Sequence, residues 1–193
     1  MFTYTDSELA VLLDEAGAWE TGVSMHAIGE LAIEQALNAL EGAMKRGYRF
    51  SPMRLEHVQL ISAAQADRAK KLGATLSMQP NFTSDSHDYA DRLAASYLEG
   101  NNPFRMLIDD AGFKPGTDLI FGSDGMPDGI AYAATQSLFP VFPSQGLTLD
   151  ELVAGYGPAR GVSGAVALNI DETARRVTVE SVTLQPDPAP RTR

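Results

Sequence analysis

Histidine occurs at three positions, 26, 57 and 87, and cysteine is absent. Without thiolates, any metal chemistry falls to imidazole and carboxylate, donors that suit zinc and similar divalent ions. His26 closes a short apolar run, Val23-Ser24-Met25-His26, and His57 stands near the end of another at 53–58. Asp124 follows a third in Phe121-Gly122-Ser123-Asp124. An imidazole donates a lone pair. A carboxylate binds the ion, or takes a proton from a bound water whose pKa the ion lowers toward about 7. The plain alternative is a structural histidine at each strand end. Two of three histidines at equivalent ends, with an acid at a third, tilt the balance toward a site.

Other side chains near these runs carry weaker signals. Gln79 ends a further apolar run and is a candidate substrate contact, or a rim amide that satisfies loop backbone. His87, in the polar stretch Ser84-Asp85-Ser86-His87-Asp88, is a candidate substrate contact or a solvated loop residue. Glu56 should face away from His57 by strand alternation and is read as structural, paired with Arg54 or a helix. Arg105 reads as an ion-pair residue, and Trp19 and the methionines as packing. Gly122-Ser123-Asp124-Gly125 lacks the glycine spacing of a phosphate-binding loop.

The elements that must position these residues alternate along the chain. Helix patterns at 5–20, 31–46, 62–72, 89–98, 103–112, 130–138 and 149–154 interleave with strand patterns at 23–26, 53–58, 74–78 and 118–121. Residues 81–88 read as a polar loop. Helices between successive strands imply parallel strands, because a parallel pair needs a crossover. Four such strands make half of an eight-stranded barrel, which takes about 250 residues, or a small open sheet. After Gly157 the pattern changes: 165–170 and 176–184 alternate apolar and polar, as in a β-hairpin. The expected division is a partial (β/α) barrel over 1–160, a hairpin over 161–185 and a disordered tail over 186–193.

Composition is that of a soluble globular chain: 44 % hydrophobic and 21 % charged residues among 193. The formal charge of −10 repels phosphate backbones and disfavours nucleic acid as a partner. No apolar run approaches the roughly 20 residues a bilayer span needs. The start shows no signal-peptide pattern, so a cytoplasmic address is the default.

Met25-His26-Ala27-Ile28-Gly29-Glu30-Leu31-Ala32-Ile33 resembles the fifth-strand motif of amidohydrolase family 3, within the metal-dependent hydrolase superfamily. Arg54-Leu55-Glu56-His57-Val58-Gln59 resembles its sixth-strand motif. Leu72-Gly73 through Ser77-Met78-Gln79-Pro80 is similar to the seventh, and Phe121-Gly122-Ser123-Asp124 to the eighth. The resemblance runs in order over about residues 5–159. It implies strands five to eight of a TIM barrel, with His26 and His57 as metal ligands and Asp124 as the carboxylate that binds metal and activates water. It further implies zinc or another divalent metal, one or two ions, and hydrolysis of non-peptide C–N or ester-like bonds in small molecules. The chain departs from the family in three respects. Glu30 and Leu31 replace the usual Asp and Arg. There is no His-x-His pair of the first strand, and no lysine stands where the fourth would supply one. The expectation is therefore a truncated or split amidohydrolase, or a product whose true start precedes Met1. The alternative is a non-catalytic remnant that self-associates or pairs with a missing first half-barrel. The hairpin would be a remnant of the family's small β-domain.

Overall fold

The computed structural model describes residues 3–125, 129–157 and 163–185. The tail at 186–193, expected to be disordered, lies outside the described residues.

Four strands form one sheet: β1 (Val23–Ala27), β2 (Met53–His57), β3 (Thr75–Met78) and β4 (Leu119–Phe121). They lie side by side in sequence order and every pairing is parallel. α1 (Asp6–Ala18) precedes β1, α2 (Glu30–Lys45) joins β1 to β2, and α3 (Ala63–Leu72) joins β2 to β3. This is the partial (β/α) barrel anticipated, with β1 and β4 at its open edges.

Local chemistry fixes the helix ends. Thr5 and Ser62 close capping boxes with Glu8 and Gln65. Gly73 ends α3 in the left-handed conformation at φ 75°, open to glycine at little cost. Alternation divides the sheet into two faces. Met53, Leu55, Leu76 and Leu119 turn toward the helices and meet Ile33, Leu37 and Leu40 of α2 in the main core. Ser24, His26, Arg54, Glu56 and Ser77 share the opposite, polar face, which would line a barrel interior.

The link from β3 to β4 departs from expectation. The stretch read as a polar loop winds into a 3-10 turn (Pro80–Ser84) and α4 (Asp85–Asp88). The helix expected at 89–98 shrinks to α5 (Ala95–Glu99), none of whose residues is buried. Helical turns without a buried face do not propagate in water. The helix expected after Pro103 passes at once into a π-helical turn (Met106–Asp110), closed by Ala111 N–H donating to the Met106 carbonyl at 2.9 Å. Phe104 and Leu107 are both fully buried there.

Beyond β4 come α6 (Ile130–Leu138) and α7 (Leu149–Tyr156), the latter capped by Thr148 and Glu151. β5 (Ser163–Asp171) and β6 (Arg176–Gln185) pair antiparallel, the hairpin anticipated, with a register shift at Ala167/Leu168. Val177 of β6 is buried against Ala134 and Leu152. Trp19, expected to pack, caps α1 and is 83 % exposed. It follows the last turn of α1, beyond the helix face that packs on α2.

Candidate functional site

The rim of the sheet is assembled from strand ends. His26 is the penultimate residue of β1 and lies exposed on the polar face. Its register partner is Glu56. Arg54 pairs with Glu56 at 2.7 Å, and the Ser24 hydroxyl donates to the same carboxylate. Arg54 also reaches Ser77 Oγ at 3.3 Å. Glu56 is thus engaged with its neighbours, in the structural role read from its position.

His57 is aimed differently. By alternation it belongs with Met53 and Leu55 on the helix-facing side. Its φ is 69°, and Val58 N–H donates back to the Glu56 carbonyl at 3.0 Å. That closes a tight one-residue turn around His57, a strained arrangement seldom adopted. The ring meets His26 edge-on, centroids 4.3 Å apart and planes at 64°. Its Nε2 stands 4.0 Å from Asp124 Oδ2. Asp124 also has positive φ, 53°, and Val58 has 42°. Three of the six non-glycine residues with positive φ among those described therefore lie at this rim. Unfavourable backbone conformations gather where surrounding structure holds a functional geometry.

Burial and the nearby His26 hold the His57 imidazole below its ordinary pKa, against the opposing pull of Asp124 and Glu56. The residue is 8 % exposed, whereas the Asp124 side chain is 57 % exposed. Gln79, one residue past β3, is buried; its Nε2 donates to the Ser77 carbonyl at 3.3 Å, and it is the least of the neighbours that pull the His57 pKa upward. Sequence reasoning missed Asn81. It is 1 % exposed, and its Nδ2 donates to the Ser123 carbonyl at 3.0 Å, steadying the segment that carries Asp124. A polar residue directly after Gln79-Pro80 was the only available signal.

His26, His57, Asp124 and Gln79 are therefore gathered at one mouth of the sheet. His87 is not gathered with them: its side chain is 81 % exposed and its Nδ1 pairs with Asp88 at 3.1 Å. Arg105 forms the ion pair expected of it, with Glu151 at 2.7 Å.

Two imidazoles and a carboxylate fit a divalent cation in kind. Two donors on one tetrahedral zinc, with bonds of about 2.0–2.1 Å, stand about 3.4 Å apart. The exposed Asp124 carboxylate has only about 0.6 Å to travel toward His57 to share an ion, starting from 4.0 Å. Among the described residues no three His, Cys, Asp or Glu side chains are already grouped to hold one.

A parallel (β/α) arc with its strands in sequence order defines a class of fold, the partial (β/α) barrel. The model of the amidohydrolase family matches residues 1–154, and the chain belongs to that family. It is 30 % identical over 106 residues to the putative amidohydrolase YtcJ of Bacillus subtilis (strain 168), covering 54 % of this chain and 20 % of YtcJ. Its fold is similar to that of an uncharacterized metal-dependent hydrolase from Pyrococcus furiosus, with TM-score 0.67 and 22 % identity, over 81 % of this chain and 32 % of that one. A second such hydrolase, from Pyrococcus horikoshii OT3, aligns with TM-score 0.57 and 24 % identity, over 70 % and 26 %. The chain thus spans about a fifth to a third of the length of these relatives. No helix among the described residues is long and apolar enough to cross a membrane.

Proposed function

We propose that this chain carries one side of a metal-dependent hydrolytic centre, in which His26 and His57 hold a divalent cation, zinc by the nature of the donors. Asp124 is the acid–base residue and a further ligand. The observation that carries this reading is the convergence of the two imidazoles, 4.3 Å apart, with Asp124 4.0 Å from His57 Nε2, at the C-terminal ends of parallel strands. In barrels of this kind that is the end where active sites are built. A bound cation supplies Lewis acidity toward a carbonyl. Burial favours the neutral form of His57, whose imidazole offers a lone pair. Asp124, exposed and opposite it, is placed to take the proton that an attacking water gives up. The substrate class is a small molecule with a non-peptide C–N or ester-like bond, as the family suggests. His87, exposed on α4 and apart from the other three, is a candidate substrate contact within this reading. Remaining ligands, and a second ion where there are two, come from outside the described donors. The residues at 1–160 serve as barrel strands five to eight, and the hairpin as part of a small β-domain. A cytoplasmic address is the default that goes with this reading.

Zinc titration of the purified chain by calorimetry tests this. His26→Ala and His57→Ala should each weaken binding about tenfold or more, and Asp124→Asn should weaken it as well. A double His26→Ala/His57→Ala chain that binds zinc as the parent does would overturn the assignment.

A second reading, that the chain acts by association, draws on a different observation. A groove of 1270 Å³ opens along α1, β1 and the start of α2, with Leu9, Leu12, Val23, Met25 and Leu31 among its walls. Leu31 is 72 % exposed. Such a surface is suited to a complementary set of barrel strands, from a second copy or from a first half-barrel.

A further inference from the structure

α5 buries none of its residues, and the turn before it, closed by Leu93 N–H on the Tyr89 carbonyl at 3.1 Å, is largely exposed as well. A stretch with no core of its own is expected to open easily. This one is tied down by polar contacts instead. Tyr97 Oη donates to Glu30 Oε2 at 2.8 Å, joining α5 to the first residue of α2. Ser86 Oγ donates to the Leu98 carbonyl at 2.7 Å, and Gln59 Nε2 to Asp85 at 2.7 Å. Asn102 N–H donates to the Gln59 carbonyl at 2.8 Å. The excursion between β3 and β4 is thus fastened to the residues that follow β1 and β2, the two strands that carry His26 and His57.

So fastened, the excursion presents a wall. Leu93, Ala94 and Tyr97 line the same cavity as His26, together with Ile28 and Leu60. Ile28 lies two residues beyond His26, and Leu60 N–H donates to the Ile28 carbonyl at 3.0 Å, so these two leave adjacent strands side by side. Ile28 is 39 % exposed, an apolar surface that gains by being covered. Besides His26, the cavity is lined by two charged side chains. Glu30 is occupied by the Tyr97 hydroxyl, and the Arg92 guanidinium lies over the Tyr89 ring at 5.3 Å. A charged group entering among Ile28, Leu60, Leu93 and Ala94 would lose its water with no partner to replace it.

We propose that Ile28, Leu60, Leu93 and Ala94 form an apolar subsite beside His26 that takes the hydrocarbon part of the substrate. The chain then selects amides or esters bearing an alkyl or aryl group of several carbons over short or charged ones. Leu93 and Ala94 act as specificity-determining residues, and Tyr97 positions them through Glu30. As a substrate subsite it rests on the reading of His26 and His57 as a metal centre; as a binding surface it does not.

Methyl ¹H–¹³C spectra of the metal-free 193-residue chain, titrated with acetamide, hexanamide and 6-aminohexanamide, test this. Each methylene moved fully out of water is worth roughly fourfold in affinity. Hexanamide should therefore shift the methyls of Ile28, Leu60 and Leu93 saturably and bind about tenfold or more tighter than acetamide. The charged 6-aminohexanamide should bind no better than acetamide. Leu93→Ser should weaken hexanamide about fivefold, and Tyr97→Phe, which frees the wall from Glu30, should weaken it too. Equal binding of acetamide and hexanamide, shifts confined to α1 methyls such as Leu12, or Leu93→Ser binding hexanamide as the parent does would overturn the proposal. If Leu93→Ser does not fold, the parent titrations still decide it. Acetohydroxamate and hexanohydroxamate, metal chelators with the same two chains, separate the two readings when zinc is added. A chain that binds hexanamide at these methyls, but whose hydroxamate affinity zinc leaves unchanged, keeps the subsite and loses the metal centre. A chain in which zinc tightens both hydroxamates to the same affinity keeps the metal centre and loses the subsite.

Discussion

His57 and Val58 occupy a conformation that costs of order 1–3 kcal/mol per residue. Val58 is β-branched and has φ 42°, a true outlier for that side-chain type. The neighbours over-determine it. Val58 is completely buried, its N–H also donates to the Ala27 carbonyl at 3.0 Å, and Leu60 N–H donates to Ile28 at 3.0 Å. A second residue near the rim is held at a cost that can be measured. Asp85 accepts from Gln59 Nε2 at 2.7 Å, yet burial raises its carboxyl above the ordinary value near 3.8. A carboxyl raised on folding lends stability that is complete below its unfolded pKa and is lost as pH rises through the folded value. At neutral pH the Asp85 charge therefore opposes folding. Asp85→Asn keeps an acceptor for Gln59 and should raise the melting temperature at pH 7, with the gain fading as pH falls toward 3.8. Melts of both chains at pH 7 and pH 4 check this; a lower melting point for Asp85→Asn at pH 7 would refute it. At this scale the sequence exposed the candidates and concealed their aim. His26 and His57 were legible as strand-end residues and Asp124 as a rim acid. The inward turn of His57 was not, since alternation alone sends it toward the helices. Its cause lies in backbone strain that no side-chain pattern records.

Elements divide by whether local chemistry or tertiary contact sets their limits. α1, α3 and α7 begin where Thr5, Ser62 and Thr148 cap them, and all three capping boxes can be read from residue types three apart. The stretch from Tyr89 to Gly112 could not be read so well. Its helical composition lacks a buried face around Ala95–Glu99, while Phe104 and Leu107 are drawn into the core through a π-helical turn. Two glycines show how tertiary contact reverses a propensity. In α7 a Cβ on Gly155 would lie 2.2 Å from the Phe121 ring, which already packs edge-on against Phe104 and Tyr156. In α2 a Cβ on Gly42 would meet only the flexible end of Arg46, at 3.4 Å. Alanine gains about 1 kcal/mol of helix propensity at either site, but overpacking costs about 1–3 kcal/mol where the ring cannot yield. Gly42→Ala should raise stability by up to about 1 kcal/mol, and Gly155→Ala should lower it by about 1–2 kcal/mol. Urea unfolding of the pair checks the signs, and a stabilised Gly155→Ala would show that Phe121 is free to move.

For the molecule as a whole, the decisive feature is the outer side of β1. Val23 N–H donates to the Pro52 carbonyl, and the Ala27 carbonyl accepts from Val58 N–H. Residues 23, 25 and 27 therefore turn their backbone groups toward β2. Ser24 and His26 turn theirs outward, where no strand among the described residues pairs with β1. This edge runs along the apolar groove and bears one of the two candidate ligand histidines. A formal charge of −10 opposes self-pairing at low salt and is screened at higher ionic strength. Amide hydrogen exchange reads the edge residue by residue. In the dilute chain Ser24 and His26 should exchange much faster than Met25 and Ala27, because only the latter pair is bonded within the sheet. At high protein concentration and about 0.5 M salt, where screening falls to a few ångströms, association along this edge should slow Ser24 and His26 selectively. Unchanged exchange at those two amides under associating conditions would remove the association reading. Equal protection of all four in the dilute chain would mean that the edge is already covered, and that the ligand set at its end is closed from that side.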